Sequence, residues 1–174
     1  MIRDYTLELD LQTIKEYVIS EKKSTDLTAR KSNVGGWQSF LCREWPKVLF
    51  GLKNFIQKQI PEYTFMSLWY NINGHGCYNE VHHHSLDDGY SGVFYIDVPD
   101  ENMGNLYFED GTEYEPTPNR LILFPSDLKH GVKTNLSHKK RISMSFNYLK
   151  HPDKAPKDKL DQFFSDNLKS GIII

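Results

Sequence analysis

Between Pro61 and Lys150 the chain divides into five short β-prone segments fenced by turn residues, and this pattern limits the fold more than any other feature. Tyr63 to Ile72 is rich in aromatic and β-branched residues and ends in Asn73-Gly74-His75-Gly76. Further strands fit Ser91 to Val98, Asn105 to Glu109, Arg120 to Phe124 and Lys140 to Leu149. Short strands with short polar connections predict an antiparallel barrel or sandwich. Two amphipathic helices precede them. From Asp10 to about Lys23, Leu11, Ile14, Tyr17 and Val18 recur at helical spacing behind a capping Asp10, and from Trp45 to Ile60 a stripe of Val48, Leu49, Leu52, Phe55, Ile56 and Ile60 closes at Pro61. Beyond His151 to Lys159, Leu160, Phe163, Phe164 and Leu168 predict a C-terminal helix, and Ile172 to Ile174 are either docked or exposed.

A chain of 174 residues without repeat or low-complexity linker is expected to be one domain over 1–174. Its parts are helical support over 1–62, a β core over 63–149 and a tail over 150–174. A net charge of −2 leaves no footprint for nonspecific nucleic-acid binding. No run of 18 apolar residues suggests a membrane span, and Cys42 and Cys77 are too few for a disulfide framework. A cytoplasmic protein with reduced thiols is the expectation, with the oligomeric state open.

The histidines are unevenly distributed. His82, His83 and His84 are consecutive, so on an extended segment His82 and His84 face one way and His83 the other. His130 follows a later strand, after the apolar Leu121-Ile122-Leu123-Phe124 and a short turn. A pincer of two imidazoles completed from a distant strand can hold a divalent metal, and imidazole suits iron, zinc, copper and nickel alike. On the last strand Arg141, Ser143 and Ser145 share one face, and Ile142, Met144 and Phe146 the other. A polar stripe headed by arginine inside an apolar barrel wants an anion, because the planar guanidinium gives a carboxylate two parallel hydrogen bonds.

These segments together resemble a known family, the small 2-oxoglutarate- and Fe(II)-dependent oxygenases of bacteria and phages, relatives of the prolyl hydroxylases. The resemblance runs through Ser32-Asn33-Val34-Gly35-Gly36-Trp37-Gln38-Ser39, Trp69-Tyr70-Asn71-Ile72 and Asn79-Glu80-Val81-His82-His83-His84. It continues in Ser91-Gly92-Val93-Phe94-Tyr95-Ile96, Phe124-Pro125-Ser126-Asp127-Leu128-Lys129-His130 and Arg141-Ile142-Ser143-Met144-Ser145-Phe146-Asn147, spanning about residues 32 to 148. It implies a mainly β fold with flanking helices, the double-stranded β-helix or cupin-like jelly roll, with the N-terminal helices packed on one sheet. It also implies Fe(II) and the co-substrates 2-oxoglutarate and O2, used to hydroxylate an unidentified substrate. His82, His84 and His130 would be the metal ligands. Arg141 would clamp the distal carboxylate, helped by Ser143 and Tyr95, with Asn71 or Tyr70 reaching the other end of the co-substrate.

Most of this superfamily has Asp or Glu where His84 stands, which leaves Asp87 or Asp88 as another source for the third ligand, with His83 turned toward substrate. Two other readings compete. One is a cupin with a three-histidine metal and no use for 2-oxoglutarate, suggested by the Gly76 to His84 spacing but lacking the second cupin motif. The other is a non-catalytic jelly-roll binding module. Ser24 to Gln38 and Glu101 to Asn119 are the expected rim of the site. The aromatics of the second segment, Tyr107 and Tyr114, are read as loop packing rather than substrate platforms.

Overall fold

The computed structural model describes residues 1–25, 27–29, 32–84 and 88–150. In chain order it contains β1 (Arg3–Thr6), α1 (Leu11–Ser24), β2 (Asn33–Val34), β3 (Trp37–Gln38), α2 (Phe50–Gln59), β4 (Tyr63–Asn73) and β5 (Tyr78–His82). There follow β6 (Gly89–Asp97), β7 (Leu106–Phe108), β8 (Glu113–Tyr114), β9 (Arg120–Pro125), β10 (His130–Val132) and β11 (Arg141–Lys150). The strands form a major sheet ordered β1-β9-β6-β11-β4-β3 and a minor sheet ordered β2-β5-β10-β7-β8, antiparallel throughout. From β4 onward the chain passes back and forth between the sheets, with β7 and β8 as one hairpin in the minor sheet. This winding is the double-stranded β-helix, a jelly roll.

Strand alternation divides the apolar side chains between two cores. On β9, Leu121 and Leu123 join the cluster beneath the helices, whereas Ile122 and Phe124 join Tyr95, Leu106 and Phe108 in a second cluster. That strand is therefore apolar on both faces, which explains its unbroken Leu-Ile-Leu-Phe run. The helices supply Ile14, Val18, Leu52 and Ile56 to the first cluster, against Phe94, Ile142, Met144 and Phe146 of the major sheet. Each such fully buried side chain contributes roughly 1.5–3 kcal/mol of apolar transfer. α1 starts where Asp10 accepts from the Thr13 backbone N–H at 3.1 Å and from its hydroxyl at 2.6 Å. Those hydrogen bonds hold the Asp10 carboxyl below the usual carboxylate range.

The second helix is shorter than its apolar stripe. Pro46 is extended, Lys47–Leu49 forms a 3-10 turn, and the α-helix proper begins at Phe50. β1, β2, β3 and β8 carry too few residues to show an alternation in sequence. They are strands because partners on neighbouring segments complete their ladders, as when Arg120 pairs doubly with Asp4 through Nε at 3.0 Å and Nη2 at 2.7 Å beside the β1–β9 ladder. The C-terminal helix expected over Leu160 to Leu168, and the Ile172 to Ile174 end, lie outside the described residues.

Candidate functional site

β11 lies at the centre of the major sheet, paired with β4 on one side and β6 on the other. Its outward residues Ile142, Met144 and Phe146 belong to the helix-side core, so Arg141, Ser143 and Ser145 project between the sheets. Register then selects their neighbours. Ser143 stands opposite Asn71 on β4 and Tyr95 on β6, and Asn71 stands opposite Gln38 on β3. A row of Gln38, Asn71, Ser143 and Tyr95 thus crosses the inner face. One step along, Trp69, Ser145 and Val93 form the next row. Arg141, Ser143, Ser145, Asn71 and Tyr95 line a cavity that His82, His84 and His130 also line. Its apolar wall is Val93, Leu106, Phe124 and Val132.

The three histidines come from two strands of the minor sheet and the loop after one of them. β5 and β10 pair with His82 directly opposite His130. His84 is held by its backbone N–H, which donates to the Ser126 carbonyl at 2.9 Å. Ring centroids lie 4.4 Å apart for His82 and His130, 5.2 Å for His82 and His84, and 5.3 Å for His84 and His130. One potential ligand nitrogen from each lies within 4.8 Å of the others. His82 Nδ1 is 2.8 Å from the Glu80 carbonyl and His130 Nδ1 is 2.8 Å from the Leu128 carbonyl. A carbonyl only accepts, so each ring carries its proton on Nδ1 and keeps the Nε2 lone pair for a metal. Burial, with His82 and then His83 nearby, pushes His130 down to about 4, so it is neutral at pH 7.

A buried chain of hydroxyls supports His84. Ser91 donates to Asn147 Oδ1 at 2.7 Å and lies 2.9 Å from Ser126 Oγ, while the Ser126 backbone N–H donates to the Gly89 carbonyl. Trp69 packs tilted against the His84 ring at 5.9 Å.

Arg141 is 2% exposed. Its Nη1 donates to the carbonyls of Met103 at 2.8 Å and Gly104 at 2.7 Å, whereas Nε is buried without a partner. No carboxylate meets the guanidinium among the described residues, and burial lowers its pKa. A buried, unpaired cation is costly, so the site asks for an anion at the Nε edge. Tyr95 is buried beside it, its phenol pKa raised by burial and opposed by Arg141. A dicarboxylate with one end on a metal and the other on Arg141 fits this donor set.

Placement separates the remaining expectations. Asn71 lines the cavity, but Tyr70 does not. One residue along the strand, Tyr70 faces the helices, packs edge-on against Tyr17 at 6.0 Å and is fully buried there, so it is unavailable to a co-substrate. Asp88 is turned away as well. Its backbone is left-handed at φ 57°, its carboxylate accepts from the Tyr63 hydroxyl at 3.3 Å and its carbonyl from the Lys150 N–H. Asp87 lies outside the described residues. His83 is exposed and lines an outer recess beside the cavity. Of the expected rim, Ser32 and Gln38 line that recess, and the Met103 and Gly104 carbonyls hold Arg141. Tyr114 packs on Phe108, and the Tyr107 ring covers Gly131, so both serve packing.

Sequence reasoning assigned no role to Trp69, Ser91, Ser126 or the two carbonyls that anchor Arg141. Trp69 was detectable, since it is two residues from Asn71 on one strand. A carbonyl carries no side-chain signal at all.

Comparison with known proteins bears on the fold and on one segment of the chain. A family model described as "Putative 2OG-Fe(II) oxygenase" matches residues 107–147, a segment that includes His130 and Arg141. No curated protein matches the sequence. Among solved structures, the viral collagen prolyl hydroxylase of Paramecium Bursaria Chlorella virus-1, as its 2OG complex, superposes with a TM-score of 0.66 at 15% identity, over 85% of this chain and 96% of that one. A Trichoplax adhaerens prolyl hydroxylase in complex with a hypoxia-inducible-factor peptide gives 0.68 at 15%, over 88% and 86%. HygX of Streptomyces hygroscopicus, with nickel and 2-oxoglutarate bound, gives 0.68 at 9%, over 87% and 83%.

Proposed function

We infer that the chain is an Fe(II)- and 2-oxoglutarate-dependent oxygenase, and we propose that it is a single-domain hydroxylase in which His82, His84 and His130 hold the metal and Arg141 holds the far carboxylate of 2-oxoglutarate. The observation that carries the reading is the buried guanidinium of Arg141, free of any protein carboxylate among the described residues, in the cavity that the three imidazoles line. A cupin that used the histidines without 2-oxoglutarate would leave that charge without a task.

With Fe(II), 2-oxoglutarate and O2 bound, the site would supply oxidative decarboxylation to succinate and CO2 with transfer of one oxygen atom to a C–H bond of the prime substrate. The chain's own residues bind, orient and shield. Nδ1–H bonds to Glu80 and Leu128 fix the His82 and His130 tautomers, and Ser126 and Trp69 fix the place of His84. Arg141 is pre-oriented by the Met103 and Gly104 carbonyls, so little rotamer entropy is lost when a carboxylate arrives. Ser143 and the Tyr95 phenol add hydroxyl donors at the same end. Asn71 donates from Nδ2 to Ser145 at 3.3 Å and leaves Oδ1 unpaired. The reversed amide orientation satisfies Ser145 equally and puts N–H donors where the unpaired Oδ1 stands. Val93, Leu106 and Phe124 form the apolar wall that would exclude water from a bound co-substrate.

Three neutral imidazoles leave the bound metal one unit more positive than two imidazoles and a carboxylate would. An anionic co-substrate offsets that charge. The prime substrate is a second organic molecule. The free thiols of Cys42 and Cys77 support a reducing, cytoplasmic setting, and no helix among the described residues is long and apolar enough to cross a membrane.

The test is anaerobic titration of Fe(II)-loaded protein with 2-oxoglutarate, followed by the visible charge-transfer band of bidentate chelation, with His130→Ala as control. A band in the wild type that vanishes in the variant is expected. Stoichiometric, His130-dependent iron with no band would transfer the case to the cupin, and absence of iron binding to a non-catalytic module.

A further inference from the structure

Beside the cavity that holds the proposed co-substrate lies a recess of about 290 Å³, and the two share Ser32, Trp69, His82 and His84. A molecule seated in the recess therefore lies against two of the proposed metal ligands, whereas Arg141 lines only the cavity. The volume admits one or two amino-acid-sized groups rather than a whole large ligand.

Its lining has a definite chemistry. Leu41, Val81 and the Trp69 indole give apolar surface. Two carboxamides, Gln38 and Asn147, give polarity, and they are 3% and 1% exposed. Both sit on the inner face of the major sheet by register, Gln38 opposite Asn71 and Asn147 opposite Ser67. Asn147 Oδ1 is occupied by the Ser91 hydroxyl, which fixes the amide orientation and leaves Nδ2 with donors to give. The Gln38 backbone is fully engaged with Thr28 and Ala29, yet its carboxamide has no hydrogen-bond partner among the described residues. Both side chains are almost wholly enclosed and line the recess, so the donors and acceptors they leave unused are presented to whatever occupies it.

We propose that this recess is the prime-substrate subsite and that it takes an amide-flanked aliphatic group, as a peptide or an acylated amino-acid amide presents, with a substrate carbonyl accepting from Asn147 Nδ2 and the amide N–H donating to Gln38 Oε1. The aliphatic part lies on Trp69, Leu41 and Val81 and turns its C–H bonds toward the metal ligands. The proposal rests on the oxygenase reading of the neighbouring cavity. Its selectivity follows from hydrogen-bond sense: Asn147 requires an acceptor, and Gln38 serves a donor and an acceptor together, a pairing that a secondary amide matches and a bare carboxylate does not.

The experiment uses protein loaded with Ni(II) and 2-oxoglutarate, which does not turn over. Binding of the N-acetyl-N′-methylamides of alanine, valine, leucine and proline is followed by saturation-transfer NMR and Trp fluorescence. The matching N-acetyl acids, thymine and glucose are the comparison probes. The amides should bind at least tenfold more tightly than the acids. Gln38→Met, which keeps the length, and Asn147→Asp, which keeps the acceptor for Ser91 but removes the donor, should each weaken amide binding about tenfold. Titration with 2-oxoglutarate separates the two levels of the argument. If 2-oxoglutarate binds and the amides do not, or both variants bind amides as the wild type does, or thymine or glucose binds more tightly, the subsite proposal falls and the oxygenase reading stands. If 2-oxoglutarate itself fails to bind, the reading beneath the proposal falls. Should Asn147→Asp misfold through loss of its buried network, Gln38→Met alone decides.

Discussion

Arg141 is the residue on which the co-substrate assignment turns. Its Nη1 is already satisfied by backbone, so what an anion gains is the Nε edge and the relief of a buried charge. Truncating one partner of a buried ion pair costs about 3–5 kcal/mol, so Arg141→Ala should weaken 2-oxoglutarate binding by at least about 100-fold in the anaerobic titration. Arg141→Lys should recover little, because an ammonium lacks the planar fork. An unchanged Kd in Arg141→Ala would remove the clamp. His130 sets a pH dependence in the metal-free protein. Burial holds its folded pKa at about 4, below the 6.5 of an exposed imidazole. Between those values the unfolded chain takes up a proton that the folded one refuses, so stability declines as pH falls from about 6.5 to about 4. The whole loss is about 3 kcal/mol. Urea unfolding across that window should show this slope in the metal-free wild type and its reduction in His130→Gln.

Among the elements, the segment before β7 governs the anion end although its side chains take no part there. Gly104 is at φ +89°, where a side chain is strained, and a Cβ built on it would lie 2.1 Å from the Lys133 carbonyl oxygen and 3.3 Å from Arg141 Nη1. The first obstacle is backbone and cannot rotate away. We expect Gly104→Ala to cost about 1–3 kcal/mol of stability and also to weaken 2-oxoglutarate binding, since the carbonyls that aim Arg141 must shift. Loss of stability with an unaltered Kd, by unfolding and titration on one preparation, would show that Arg141 does not depend on those carbonyls. A second element-level constraint is Gly92 on β6, where a Cβ would meet the Phe146 ring at 2.4 Å and Leu123 at 2.9 Å. The bare backbone there leaves room for the Phe146 ring over β6, beside Leu123 of β9.

For the whole molecule, the cavity joins the two sheets: Arg141, Ser143 and Asn71 belong to one, His82 and His130 to the other. A ligand that bridges them binds only the folded state. At a concentration 100 times its Kd, 2-oxoglutarate with Fe(II) should add about 2.7 kcal/mol, a rise in Tm of roughly 5–10 °C for a chain of this size. Anaerobic calorimetry should find that increment in the wild type and little of it in Arg141→Ala. An equal rise in both would mean the stabilisation comes from the metal alone.

Five strands, β4, β6, β7, β9 and β11, both N-terminal helices, and the histidines and arginine of the candidate site were legible in the sequence, because each is a local matter of side-chain period or residue chemistry. Alternation alone assigned Arg141, Ser143 and Ser145 to one face and Ile142, Met144 and Phe146 to the other. It could not choose between Tyr70 and Asn71, because adjacent residues differ only in which sheet face looks inward, and that depends on where the helices dock. Nor did it find β1, β2, β3, β5, β8 or β10, each of two to five residues and a strand because a neighbouring strand completes its ladder rather than through its own pattern. The anchoring of Arg141 on two carbonyls, the hydroxyl chain beneath His84 and the meeting of Gln38 and Asn147 on the wall of one recess all join residues far apart in the chain. Sequence determined which side chains were available; the register of β3, β4, β6 and β11 decided which of them meet, because a one-residue slip of any one strand turns its own inner set of side chains outward.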